Sequence, residues 1–185
     1  PTVKPDAAID YKRLSNIDTL INGYISRNWV NGVVTIIIKD GKVIQNKGYG
    51  YSDAATKKQM QPNSIFRIAS QTKAIVSAGV LVLYDEGKLS LSDPVSKYLP
   101  GFENSKVLDQ FNANDSTYTT VPAKRSITIK DLLTHTSGID YPEIGTDEMK
   151  AIYAKAHISS GLGVVHQNLI EAMNKVGELP LAFQP

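Results

Sequence analysis

One pair of residues in this chain has both the types and the spacing needed for nucleophilic chemistry. Ser70 and Lys73 belong to the segment Ser70-Gln71-Thr72-Lys73, and an i, i+3 spacing places both side chains on one face of a helix. A lysine amine beside a serine hydroxyl can take the hydroxyl proton and make the oxygen a nucleophile for a carbonyl carbon. The positive end of the helix favours the oxyanion that such an attack produces. The pattern predicts Ser70 as a nucleophile and Lys73 as its proton acceptor.

The same pattern also has an ordinary structural interpretation. A chain with 15 Ser and 16 Lys is expected to contain about one Ser-x-x-Lys by chance, and Ser70 could simply cap a helix whose Lys73 points into solvent. The nearly continuous apolar run from Ala74 to Leu83 argues for catalysis, because it predicts a buried helix from about Ser70 to Gly87. A solvated lysine fits poorly at the start of a buried helix. The residues alone leave both interpretations open.

The N-terminal part of the chain predicts a helix and a β-hairpin that would support this pair. Apolar residues recur every three or four positions from Leu14 to Ile25, which indicates one face of a helix over residues 9–29. A β-branched run is followed by Asp40-Gly41, a pair that favours a type I′ turn, so we predict a hairpin over residues 33–51. Residues 64–69 are interpreted as a short strand that leads directly into the Ser70 helix.

Residues 70–177 are predicted to form a mostly helical segment. Within it, residues 102–124 are polar and rich in Asn, Asp and Thr, which is typical of a surface loop. Thr128 and Asp131 have the spacing of a capping box, so we expect a short helix there that ends at Gly138. The other helical predictions are a turn that begins with Ser92-Asp93-Pro94, with Pro94 at the first helical position, and helices over about residues 147–156 and 165–176.

The predicted fold class is therefore α+β. We expect an antiparallel sheet begun by the hairpin, with the N-terminal helix on one face and the mostly helical segment, including the Ser70 helix, on the other.

Composition excludes several other classes of function. The chain has 20 Lys and Arg against 18 Asp and Glu with the two signs interleaved, so we expect no nucleic-acid partner. It contains no cysteine, which excludes disulfides, thiolate metal sites and a cysteine nucleophile. No apolar stretch approaches the roughly 20 residues that a membrane-spanning helix needs. The three histidines, His135, His157 and His166, are not grouped with one another or with carboxylates, so we expect no metal site.

Four segments, in this order, resemble the serine β-lactamase and penicillin-binding-protein superfamily. Residues 65–83, which contain the Ser-x-x-Lys pattern, are similar to its nucleophile helix. Residues 84–100 resemble the EGKLxLDDPVxKYLP stretch of its class C branch, and residues 127–138 resemble the ITIRDLLTHTSGL stretch of the same branch. Residues 179–185 are similar to the segment that leads into the next motif. The class C-like branch includes related esterases and peptidases that act on D-amino acids.

The resemblance implies a mechanism through an acyl-enzyme. Ser70 would be acylated by an amide, ester or β-lactam carbonyl, and Lys73 would handle its proton without any metal or organic cofactor. It also implies a small-molecule or peptide substrate and a periplasmic or secreted bacterial location. His135 would be structural, hydrogen-bonded within the fold, and not a base. The alternative is a non-catalytic relative that binds cell-wall peptide or a protein partner through the same cleft.

The superfamily pattern continues with motifs that residues 1–185 do not contain. These are a Tyr-x-Asn motif, whose tyrosine assists proton transfer, and a Lys-Thr-Gly or His-x-Gly strand that lines the substrate cleft. Tyr141 is the tyrosine nearest the Thr-Ser-Gly turn, but its surroundings, Ile139-Asp140-Tyr141-Pro142, do not match the motif. We therefore expect residues 1–185 to be the N-terminal portion of a single catalytic domain, inactive alone, whose remainder follows Pro185 or associates as a second chain.

Overall fold

The computed structural model describes residue 3 and residues 5–159 and 168–185. The chain divides into two compact units, Pro1–Ala69 and Ser70–Pro185. The first combines helices with an antiparallel sheet, and the described part of the second combines helices with a two-stranded antiparallel hairpin. This is the predicted α+β class.

The first unit places two helices before a three-stranded sheet. Its elements are α1 (Tyr11–Leu14), α2 (Asn16–Ser26), β1 (Gly32–Lys39), β2 (Lys42–Asp53) and β3 (Lys58–Gln59). The prediction of one helix over residues 9–29 is wrong in two respects. The helix is interrupted at Ser15, whose hydroxyl donates a 2.7 Å hydrogen bond to the carbonyl of Lys12 and so competes with the helical hydrogen bonds. It also ends before residue 29, because Asn28 has a φ of 59°.

The predicted hairpin is confirmed. Asp40 and Gly41 have φ values of 49° and 70°, which is the left-handed backbone that a type I′ turn requires. The strand order is β1-β2-β3, so β1 lies at one edge of the sheet among the described residues. Two of its isoleucines, Ile36 and Ile38, are more than half exposed.

Helix α2 lies against the sheet, as predicted for the N-terminal helix. Asp18 of α2 accepts a 2.6 Å hydrogen bond from the hydroxyl of Tyr49 and a 2.7 Å hydrogen bond from Lys47, both on β2. The Lys47 ammonium and the Tyr49 hydroxyl lower the pKa of the Asp18 carboxyl, whereas burial raises the pKa of Tyr49. These contacts hold the helix on one face of the sheet.

The predicted strand over residues 64–69 is wrong. Residues 64–68 have no regular secondary structure and pair with no described strand, and the side chain of Ile65 is 99% exposed. A strand is stable only when its backbone groups pair with a neighbour, and an apolar run alone does not supply one.

The second unit begins with the Ser70 helix. Its elements are α3 (Gln71–Asp85), β4 (Lys106–Asn112), β5 (Thr117–Pro122), α4 (Ile129–Leu133), α5 (Asp147–Lys155) and α6 (Leu169–Gly177), with 3-10 turns at Val95–Lys97 and Pro100–Phe102. Its core consists of two clusters of buried side chains. They are Val95, Phe102, Val107, Ile127, Val176 and Leu181 in one, and Met149, Ile152 and Tyr153 in the other.

The predicted surface loop over residues 102–124 is wrong, because most of it forms the β4–β5 hairpin. The sequence does contain residues that favour two strands and a turn between them. Residues 117–121 are threonine, tyrosine and valine, which favour strands, and Asn114-Asp115 precedes Ser116 at a φ of 57° in the connecting turn. Overall polarity was a misleading guide here, because one face of a surface hairpin is exposed to water.

The remaining helix predictions are mostly right in place and wrong at their ends. Helix α5 is confirmed, and its residues Met149, Ile152 and Tyr153 are buried. The capping box of α4 is present, but the helix ends at Leu133 and not at Gly138. Pro94 precedes its 3-10 turn instead of opening it. The predicted start of the last helix at residue 165 lies outside the described residues, and the described helix begins at Leu169 after an Asn168 cap.

Helix α3 has the predicted extent, but not the predicted burial. Gly87, with a φ of 68°, follows its end as expected for a left-handed terminus. None of the residues of α3 is buried, and Ile75, Val76 and Val82 are each more than half exposed. An apolar helix is stabilised by whatever covers it, and the described residues of this chain do not cover α3. Among the described residues, no helix is both long and apolar enough to cross a membrane.

Candidate active site

Ser70 lies at the junction between an irregular segment and α3. The residue before it, Ala69, has a φ of 42°, a left-handed conformation that is uncommon for a residue with a side chain. Ser70 itself is helical, with φ −64° and ψ −16°, and its side chain makes no capping hydrogen bond to the helix. The ordinary capping role considered for Ser70 is therefore not the one its hydroxyl has. Ser70 is exposed at the start of the helix.

Lys73 lies one helical turn further on and reaches back to Ser70. Its Nζ atom is 3.2 Å from Ser70 Oγ, within hydrogen-bonding distance, and both side chains are exposed. The helix is what brings the two together, because residues three apart are neighbours on its surface. The two predicted site residues thus form a direct nitrogen–oxygen contact across which a proton can move.

A second side chain contacts Lys73 from a distant part of the chain. Lys73 Nζ lies 5.4 Å from the centre of the Tyr141 ring, a distance at which a cation is attracted to an aromatic face. Tyr141 is not among the residues predicted for the site, because its surroundings in the sequence do not match a known motif. No local pattern could have paired it with Lys73, since the contact depends on where the loop after Gly138 folds.

The loop that carries Tyr141 is organised by the carboxylate of Asp140. Its Oδ1 atom accepts a 2.8 Å hydrogen bond from the Tyr141 backbone N–H, and its Oδ2 atom accepts a 2.9 Å bond from the Thr146 N–H. The Asp140 N–H donates to the hydroxyl of Tyr153, a core residue of α5. Burial raises the pKa of Tyr153, so its hydroxyl stays neutral in this contact.

The turn before this loop is anchored by an ion pair. Asp131, on α4, is 6% exposed and accepts hydrogen bonds of 2.6 Å and 3.0 Å from the two terminal nitrogens of Arg125. It also accepts from the backbone N–H and the hydroxyl of Thr128, which completes the capping box. The Arg125 guanidinium and these hydrogen bonds hold the pKa of Asp131 well below its usual range.

The Thr134-His135-Thr136-Ser137-Gly138 turn is structural, as expected, but not through the imidazole of His135. His135 is exposed with a φ of 59°, and its side chain makes no hydrogen bond to a described residue. The buried Ser137 hydroxyl accepts the N–H of Ile139 instead. The carbonyl of Gly138 accepts a 2.7 Å hydrogen bond from the N–H of Ala182. These contacts connect the turn to the C-terminal segment.

The C-terminal segment is itself tied to the β4–β5 hairpin. The Leu181 N–H donates to the carbonyl of Lys106, and the Leu181 carbonyl accepts from the N–H of Leu108.

Among the described residues, no three His, Cys, Asp or Glu side chains lie close enough together to hold a metal ion. His166, one of the three histidines considered for such a site, lies outside the described residues.

The family model and the structural similarity described below place this α+β chain in the serine β-lactamase and penicillin-binding-protein superfamily. The chain belongs to the beta-lactamase family, whose model matches residues 17–185. The match includes the Ser70 helix, the β4–β5 hairpin and the Thr-Ser-Gly turn.

Three known proteins illustrate the range of similarity. Protein flp of Staphylococcus aureus is 40% identical over 123 residues, which cover 66% of this chain and 22% of that protein. Protein Rv1367c of Mycobacterium tuberculosis is 35% identical over 156 residues, which cover 84% of this chain and 37% of that protein. The solved structure of EstCE1, described as a hydrolase with promiscuous acyltransferase activity, superposes with a TM-score of 0.76 at 25% identity and covers 93% of this chain and 41% of that one. The chain thus spans less than half the length of each.

Proposed function

We propose that the complete protein is a serine hydrolase or acyltransferase that works through an acyl-enzyme formed on Ser70. The observation that carries the proposal is the 3.2 Å contact between Lys73 Nζ and Ser70 Oγ at the start of α3. Family membership and the similarity to EstCE1, a hydrolase with acyltransferase activity, support the same class of reaction.

The proposed reaction has two balanced steps. In the first, Lys73 takes the proton of Ser70 Oγ while the oxygen bonds to the carbonyl carbon of an amide, ester or β-lactam. The tetrahedral intermediate collapses, the bond to the leaving group breaks, and the leaving group takes the proton that Lys73 holds. In the second step, water or another acceptor gives a proton to Lys73 as it bonds to the acyl carbon. The bond between that carbon and Ser70 Oγ then breaks, and the Ser70 oxygen takes the proton back from Lys73. The N-terminus of α3 favours the negative charge that develops during both attacks.

We further propose that the groups completing this site lie outside residues 1–185. The third proton-handling residue and the strand that lines the substrate cleft have no match in this sequence. This chain matches less than half the length of each of the three relatives. The exposed apolar side chains of α3 are surfaces that such additional residues would cover.

A covalent serine probe on the complete protein tests the nucleophile directly. We expect a fluorophosphonate to add one label to the wild type, detected by intact mass, and to leave Ser70→Ala unlabelled. Ser92→Ala, which removes an exposed hydroxyl of the same unit, is the matched control and should label like the wild type. Equal labelling of wild type and Ser70→Ala would overturn the proposal.

A turnover assay separates an enzyme from a binding module that shares the fold. We expect the complete protein to hydrolyse a chromogenic ester or a chromogenic cephalosporin, and Ser70→Ala to lose that activity. A protein that binds cell-wall peptide but turns over neither substrate would instead be a non-catalytic relative. The pattern of accepted substrates would also identify the carbonyl class on which Ser70 acts.

A further inference from the structure

We propose that Tyr141 is a positioning residue for Lys73, and that the face of its ring holds the lysine amine within reach of Ser70. This inference rests on the proposed function, in which Lys73 exchanges a proton with the Ser70 hydroxyl. It assigns a role to the ring of Tyr141 and none to its hydroxyl.

The first argument is geometric. Among the described residues, Lys73 Nζ contacts Ser70 Oγ at 3.2 Å and lies 5.4 Å from the centre of the Tyr141 ring. An exposed lysine has several flexible bonds and samples many rotamers, so a single hydrogen bond fixes its amine weakly. A second contact from the aromatic face restricts those rotamers to the ones in which the amine stays beside the hydroxyl. Tyr141 therefore lowers the entropic cost of forming the productive contact.

The second argument concerns which state of the amine the ring favours. An aromatic face attracts a cation strongly and a neutral amine only weakly, through N–H···π contact. The ammonium of Lys73 forms at the moment when the proton leaves Ser70 Oγ, so the ring acts on the product of that transfer. The Tyr141 hydroxyl makes no hydrogen bond to any described residue, which is why the role is assigned to the ring.

The third argument is that the loop is built to present this ring. Both oxygens of the Asp140 carboxylate accept backbone N–H groups of the loop, from Tyr141 and Thr146. The Asp140 N–H in turn donates to the buried hydroxyl of Tyr153. Pro142 follows, and a proline disfavours a helical backbone at the residue before it. The ring of Tyr141 thus lies on a loop that these hydrogen bonds hold in place.

Three substitutions of Tyr141 in the complete protein test the inference. Tyr141→Phe and Tyr141→Trp keep the aromatic face without the hydroxyl, whereas Tyr141→Leu removes the face. We expect the rate constant of acylation by the fluorophosphonate to fall about two- to fivefold in Tyr141→Leu, as an exposed cation–π contact implies. Tyr141→Phe and Tyr141→Trp should stay within about twofold of wild type. The half-saturating probe concentration should not change in any of the three.

Thermal unfolding and a control variant separate positioning from a loss of structure. Tyr141 is 40% exposed, so we expect Tyr141→Leu to keep the wild-type melting temperature within a few degrees. Tyr118→Leu removes a similarly exposed tyrosine from β5 and should label at the wild-type rate. If Tyr141→Leu melts early, Tyr141→Met replaces it as the variant without a ring.

Two results would overturn the inference. Wild-type labelling rates in both Tyr141→Leu and Tyr141→Met would show that the ring has no role. A Tyr141→Phe variant as slow as Tyr141→Leu would assign the role to the hydroxyl instead. Neither result affects the assignment of Ser70, which fails only if Ser70→Ala is labelled like the wild type.

Discussion

The amine of Lys73 lies 3.2 Å from the hydroxyl of Ser70, one helical turn away on α3. The contact is local, because the helix alone brings side chains at i and i+3 together. The Ser70 side chain makes no capping hydrogen bond to the helix.

Replacing Lys73 should separate the effect of its charge from that of proton transfer. Lys73→Ala removes both, whereas Lys73→Arg keeps a cation near Ser70 and Tyr141 but cannot accept a proton, because a guanidinium stays protonated. We expect both variants to lower the acylation rate constant by about 100-fold or more. Stopped-flow or time-resolved mass measurement of the labelled fraction provides the rate. An arginine variant that labels at the wild-type rate would show that charge alone is sufficient.

Asp131→Asn should destabilise the second unit. The buried carboxylate accepts both terminal nitrogens of Arg125 and completes the Thr128 capping box, and an amide can accept only part of these bonds. We expect a loss of about 2 kcal/mol in the free energy of unfolding. Urea unfolding followed by circular dichroism measures it. Asp109→Asn, an exposed aspartate on β4, is the control and should change the stability by less than ~0.5 kcal/mol.

The Asp93 carboxyl should make the stability of the protein sensitive to acid. Hydrogen bonds from the Tyr98 hydroxyl, the Ser90 N–H and Lys97 lower its pKa to about 2. A carboxyl with a lower pKa in the folded state stabilises the fold above its unfolded pKa of roughly 4. That contribution is lost as the pH falls from about 4 to 2.

Melting temperatures of wild type and Asp93→Asn between pH 6 and pH 2 test this expectation. The variant should melt earlier at pH 6, and the difference should shrink as the pH approaches 2. The wild type will lose stability in acid for other reasons as well, including loss of the contribution of Asp131, whose carboxyl takes up a proton more readily in the unfolded state. The informative quantity is therefore the difference between the melting temperatures of the wild type and Asp93→Asn at each pH. A difference that stays constant over this pH range would contradict the prediction.

Gly138→Ala should be strongly destabilising, and Gly23→Ala should not. Gly138 has a φ of 79°, and a Cβ there would collide with the carbonyl oxygen of Phe183. Gly23 lies within α2, and a Cβ at this position would meet no atom of a neighbouring residue within 4 Å, so alanine should stabilise that helix by up to about 1 kcal/mol. We expect Gly138→Ala to lose about 2 kcal/mol or more of unfolding free energy, measured by urea unfolding. A neutral Gly138→Ala would show that the turn relaxes freely.

The fold was predictable where a few neighbouring residues decide the structure. The Asp40-Gly41 turn, the Thr128–Asp131 capping box and the position of α5 all follow from interactions within about four residues. The β4–β5 hairpin was missed because the polarity of residues 102–124 was given more weight than the β-branched run at 117–121. The interruption at Ser15 was also missed, since it depends on one side-chain hydrogen bond to the backbone.

In the candidate site, too, the local contact was predictable from the sequence and the distant contact was not. Ser70 and Lys73 could be paired from the sequence, because helical spacing alone brings them together. Tyr141 could not be paired with Lys73, because that contact depends on the Asp140 carboxylate and on the packing of Tyr153. The apolar run of α3 predicted burial, but burial depends on residues far away in the chain. The sequence by itself determined which chemical groups lie together on one helix, because helical backbone geometry fixes the contacts between near neighbours. The tertiary structure decided which distant side chain contacts them, because such contacts depend on how the chain packs.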